Sequence, residues 1–160
     1  MPRASYPNGV EPLLETWRIN DRINRYLLDA IPPEALATPL AKGKSVAAHF
    51  THIHNVRLMW LKSAAPDLHA GQTKFEKETP DHETLRARLA ESCEAILELV
   101  RRAETPEGRI KGFKPHAAAF VGYLISHETH HRAMAEIALR QAGTPLDDKT
   151  SYGLWEWGTR

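Results

Sequence analysis

PHAAAFVGYLISHETHHRAMAEIALRQA, residues 115–142, decides the fold. Phe120, Tyr123, Leu124, His127, His131, Met134 and Ala138 recur at steps of three and four, which sets them along one stripe of an α-helix. Pro115 suits a helix start, Gly143 supplies a left-handed residue past the end, and Pro145 blocks continuation. A helix of this length with one apolar stripe buries it most simply against other helices. Two histidines on the stripe, His127 and His131, are four positions apart and so lie one above the other.

Three more segments carry the same period. The first runs from Glu11 to Ile31 with Leu13, Trp17, Leu27, Leu28 and Ile31 on its stripe, shared by Asn20 and Asn24, and stops at Pro32-Pro33. The second begins near Ser45, a good N-cap, and carries Val46, Phe50, Ile53, Val56, Met59 and Trp60 before Pro66. The third opens at Thr79-Pro80 and carries Leu85, Leu89, Ile96, Leu99 and Val100 until Thr105-Pro106-Glu107-Gly108. No segment alternates like a strand, so the class is all-α, and four amphipathic helices make a four-helix bundle. The stretches from Pro32 to Lys44 and from Pro66 to Glu78 are long enough for a crossover connection. A chain of 160 residues fits one domain, 1–160, with an aromatic tail over about 144–160 that packs on the bundle. Tyr152, Trp155 and Trp157 there read as a lid across one end, with a subunit contact or a pocket wall as the other options.

Charge excludes several partners. The 21 basic and 20 acidic residues are intermixed and leave a net charge of +1, so neither nucleic acid nor an anionic membrane surface is indicated. Apolar runs are too short to span a membrane, and Met1 to Asn8 lack the apolar centre of a signal peptide, which reads as a cytoplasmic protein. A single cysteine, Cys93, forms no internal disulfide and supplies no multi-thiolate metal site.

The nine histidines divide by position. His69, His82 and His116 lie in loops or first turns and read as ordinary polar groups. His127 and His131 differ, because two imidazoles buried without partners would cost about 1–3 kcal/mol apiece, and one metal ion would satisfy both. The second segment offers a third ligand: His49 and His52 are near its stripe, with His49 slightly favoured by period, while His54 is rotated toward solvent or a neighbouring helix. His130 sits off the His127/His131 line, suited to a supporting or surface role.

These residues resemble the DinB/YfiT-like superfamily of small bacterial four-helix-bundle metalloproteins. Its pattern is a histidine in the second helix followed about eight positions later by an aromatic and Leu, then a later H-x-x-H-H-R-G-Q. Here His52 with Trp60-Leu61 fits the first element, and His127, His130, His131 and Arg132 fit the second. Asn24, Arg25, Leu27 and Leu28, and the ending from Tyr152 to Gly158, also fit. The resemblance implies that His52, His127 and His131 hold a divalent ion, zinc or nickel first, and leaves His49 outside the triad. Ala133-Met134 depart from the usual Gly-Gln, which removes a polar group near the site.

The resemblance further implies a metal-dependent enzyme in which three histidines leave a coordination position open, such as a thiol-dependent transferase or isomerase acting on a low-molecular-weight thiol, or a hydrolase. Its members are often homodimers. Asn20 and Asn24 are candidates to line a pocket, and Arg57 and Arg132 to contact a substrate carboxylate, against solvated or capping roles for the former and exposed or bundle-spanning salt bridges for the latter. The competing function is a non-catalytic metal-binding or stress-response protein, and a metal-free bundle is a third reading. No nucleophile and base are placed together by the sequence.

Overall fold

The computed structural model describes residues 10–41, 43–77, 79–103 and 108–160. Met1 to Asn8 and Thr105 to Glu107, used above as sequence signals, lie outside them. Four long helices dominate: α1 (Glu11–Ala30), α2 (Val46–Ala64), α4 (His82–Arg102) and α5 (Ala117–Gln141). Two short ones follow α2 and α5, α3 (Pro66–His69) and α6 (Asp148–Gly153), and a 3-10 turn spans Pro33–Ala37. No described helix is long and apolar enough to cross a membrane.

Local chemistry sets the ends. The Ser45 hydroxyl accepts the Ala48 N–H at 3.2 Å, as a cap at the start of α2 should. The third long helix starts later than Thr79-Pro80 because the Asp81 carboxylate, accepting the Thr84 N–H at 2.7 Å, is the better cap. The fourth likewise starts after Pro115, where His116 Nδ1 accepts the Ala119 N–H. At its end Gly143 has φ +79°, Thr144 N–H bonds the Leu139 carbonyl and Gly143 N–H bonds Arg140, a Schellman closure that satisfies the last carbonyls.

Helix α1 packs against α4 and α5, and α2 packs against the same two, so α1 and α2 stand diagonally across the bundle. The interior is not one core but two. Leu14 and Trp17 of α1, Leu58 and Leu61 of α2, Ile96 and Val100 of α4, and Phe120 and Leu124 of α5 form one apolar cluster. Ile23, Leu27, Phe50, Ile53, Leu85, Leu89, Ala135 and Leu139 form the other. Following the chain, α1 and α5 pass from the first cluster to the second, and α2 and α4 pass from the second to the first. The topology is therefore up-down-down-up, and the connection from α1 to α2 crosses a diagonal.

Between the clusters lies a buried polar layer. Arg57 Nε and one terminal nitrogen donate to the two Glu128 oxygens at 2.7 and 2.9 Å, a bidentate pair between α2 and α5. The other terminal nitrogen donates to Asp21 of α1 and to the Leu89 carbonyl of α4, both at 2.9 Å. Glu128 also accepts from the Asn20 and Asn24 amides at 2.7 Å each, and both amide oxygens accept from Arg132. Asn20 and Asn24 are thus wedges between Glu128 and Arg132, fully buried, rather than pocket or solvated residues. Burial opposes the charge on Glu128, but Arg57 and the amide donors outweigh it and hold its pKa below the usual carboxylate value.

The tail is attached through Leu154, which joins the second cluster, and through the Arg160 guanidinium, 3.8 Å above the Tyr26 ring. Gly153 lets Tyr26 approach where a Cβ would collide. The aromatic rings themselves do not form the expected lid: Tyr152 and Trp155 are 74% and 78% exposed.

Removing Arg57 strands a buried carboxylate. Arg57→Met is expected to cost about 3–5 kcal/mol in chemical denaturation, with Glu128→Gln costing less because Arg57 keeps Asp21. A loss under about 1 kcal/mol for Arg57→Met, the value of a solvated pair, would contradict the buried layer.

Candidate metal centre

His52 of α2 and His127 and His131 of α5 face one another at the edge of this layer. One ring nitrogen from each lies within 4.8 Å of the other two. The His131 ring is the hub, with its centre 4.4 Å from that of His52 and 4.6 Å from that of His127, and His52 and His127 are 5.2 Å apart. His131 is buried whereas His52 and His127 are half-buried, so the cluster opens to one side.

The arrangement follows from how far the buried faces are rotated from the apolar stripes. On α5 the buried residues are Ala117, Phe120, Val121, Leu124, Glu128, His131, Arg132, Ala135, Ala138 and Leu139. Tyr123, read above as part of the stripe, is 39% exposed. The buried face centres on Leu124 and Glu128, which puts His127 at its margin. The same shift on α2 buries His49, His54 and Arg57 and leaves Met59 54% exposed. Glu128 is the residue that sequence reasoning passed over. Its position four after Leu124 and three before His131 was the available signal.

The other histidines have other work. His54 is fully buried and satisfied twice, its Nε2 donating to the Thr73 carbonyl at 2.9 Å and its Nδ1 3.1 Å from the Ser92 hydroxyl. Of the two options open for it, the helix neighbour is the one realised. His49 is buried, with its Nδ1 2.9 Å from His131 Nδ1. His130 is exposed, and its ring centre lies 5.2 Å from His131. His82 bonds the Leu28 carbonyl, and His116 is the cap of α5. Arg57 and Arg132 serve the buried layer rather than an open pocket, the bundle-spanning alternative. Cys93 is buried, and burial pushes its thiol pKa up.

Electrostatics keep the cluster neutral. Burial lowers the pKa of His52 and His127 and holds His131 down at about 3, with its histidine neighbours adding to the effect. Neutral imidazole is the form that coordinates a metal. His127 Nδ1 is buried without a hydrogen-bond partner among the described residues, a deficit that a coordinated ion would remove. The donor set and this orphaned nitrogen both fit a divalent ion. Beside His127, Tyr123 stacks at 6.5 Å and forms an aromatic group with Trp60 and Phe113, each 5.6–5.8 Å away, an apolar border to the open side.

A model of the DinB family matches residues 1–156. The chain belongs to the DinB family. A crystal structure of a DinB-like protein from Bacillus cereus shares 22% identity and superimposes with a TM-score of 0.62, covering 86% of this chain and 95% of that one. At that identity the likeness bears on the DinB fold alone, and the fold agrees with the all-α bundle expected from periodicity and resemblance. No curated protein matches the chain.

His54 makes a pH dependence. Burial depresses its pKa from 6.5 to about 4, with the bond to Thr73 acting the other way. The unfolded chain therefore takes up the proton first, so the stability due to neutral His54 is complete above about 6.5 and is lost as pH falls toward 4. With a chelator present, the urea midpoint is expected to fall from pH 7 to pH 4.5, and to fall less in His54→Gln. An equal fall in the variant would contradict this.

Proposed function

We propose that this DinB-family protein binds a divalent ion, zinc or nickel first, through His52, His127 and His131, and uses it to activate a small molecule, with a low-molecular-weight thiol the leading candidate. The observation that carries the reading is the approach of three neutral imidazoles to within 4.8 Å on two helices whose register is fixed by Arg57 and Glu128. Three nitrogen ligands leave room for another, and an ion there would act as a Lewis acid favouring deprotonation of a thiol. The half-buried His52 and His127 keep the open side accessible, and Tyr123, Trp60 and Phe113 offer an apolar surface to the electrophile.

A purely structural ion is the competing reading, and the polar layer argues against it. Arg57, Glu128, Asp21, Asn20, Asn24 and Arg132 satisfy one another without a metal, so the buried layer leaves no deficit for a structural ion to fill. Untagged protein is expected to carry about one divalent ion per chain by elemental analysis, and the His127→Ala/His131→Ala variant almost none. Chelation is expected to leave helix content unchanged and to abolish metal-dependent thiol consumption with a panel of electrophiles. Equal metal content in the variant sinks the site. Unfolding on chelation, or no consumption of any bacterial thiol by the loaded protein, sinks the catalytic reading.

A further inference from the structure

His49 stands directly behind the cluster and outside it. The three nitrogens that approach one another come from His52, His127 and His131. His49, one turn before His52 on α2, touches only His131 of these through a ring nitrogen, Nδ1 to Nδ1 at 2.9 Å. His49 is 4% exposed. Its Nε2 is buried and has no hydrogen-bond partner among the described residues. A residue needed only to fill space would be better as leucine or phenylalanine, because a buried polar atom without a partner destabilises a fold.

The bond between two neutral imidazoles has one donor and one acceptor. If His49 donated, His131 would carry its own proton on Nε2, and neither of its nitrogens would have a lone pair for an ion. If His131 donates from Nδ1, its Nε2 lone pair is free and faces the side of the ring away from His49. His49 then accepts on Nδ1 and carries its proton on Nε2, the atom left without a partner. Ligating histidines generally need such an acceptor to fix the tautomer and the ring plane, and a carboxylate or carbonyl is the usual one. Here the nearest carboxylate on α5, Glu128, is saturated by Arg57, Asn20 and Asn24.

We propose that His49 is a positioning residue for the metal centre, accepting the His131 Nδ1 proton so that His131 presents Nε2 to the ion. This rests on the metal reading above. It also accounts for a second histidine on the same face of α2 that the triad does not use.

The test compares wild type with His49→Leu, which fills the space without an acceptor, and His49→Gln, whose amide oxygen can accept the same proton. Cobalt(II) is the probe, with affinity read by chelator competition and geometry read from the visible d–d bands. His49→Leu is expected to bind roughly 10–100-fold more weakly with shifted bands, and His49→Gln to recover most of the affinity and the wild-type bands. In wild-type protein loaded with zinc, long-range proton–nitrogen NMR is expected to find the His131 proton on Nδ1, a readout that needs no variant. Wild-type affinity in His49→Leu, equal impairment in both variants, or a His131 proton on Nε2 would overturn the proposal while leaving the triad intact. Failure of wild-type protein to bind cobalt or zinc would instead remove the metal reading itself.

Discussion

The bidentate pair between Arg57 and Glu128 is the constraint on which the rest of the molecule depends. Arg57 is five residues after His52, and Glu128 is next to His127. A planar guanidinium meeting a carboxylate through two parallel bonds fixes both the axial register and the rotation of α2 against α5, which a greasy interface alone would leave free to slide. The desolvation cost is offset because each charge is saturated: Arg57 reaches Asp21 and the Leu89 carbonyl, and Glu128 takes two amide protons. Four helices meet in this one layer, so slippage of any of them strands a buried charge.

The apolar clusters on either side supply the favourable burial, while the layer between them supplies uniqueness of arrangement. It also explains why the histidines sit where they do. Rotating α5 to place Glu128 at the centre moves His127 to the margin and leaves the cluster open on one side. His131, further inward, is held by His49 from behind. Under the proposed metal reading, one buried histidine and two half-buried ones suit an exchangeable position rather than a closed structural site.

The four long helices were readable because each has apolar residues at helical steps and breakers at its ends, and Leu85, Leu89, Ile96, Leu99 and Val100 are all buried as their spacing requires. Boundaries moved by a few residues where Asp81 and His116 proved to be the caps. The convergence of His52, His127 and His131 was legible through resemblance, since period alone tilted toward His49. What period could not show is the rotation of each helix. Asn20 and Asn24 were legible on the stripe of the first helix, and bundle-spanning salt bridges were open to Arg57 and Arg132, but an apolar stripe counts a carboxylate as solvent-facing, so Glu128, the group that joins these residues into one core, was invisible. Only their mutual satisfaction across three helices makes them one, and that is a property of pairs rather than of positions. The tail misled for the converse reason: Tyr152 and Trp155 are aromatic yet exposed, while the anchors are Leu154 and Arg160.

X-ray absorption at the edge of the bound ion addresses the central claim most directly, because it counts and identifies the atoms around it. Protein loaded with one zinc ion per chain is predicted to show three imidazole nitrogens at about 2.0–2.1 Å plus one further, exchangeable ligand. A first shell with fewer than three imidazoles, or one dominated by carboxylate oxygen, would contradict the convergence of His52, His127 and His131 on a common point.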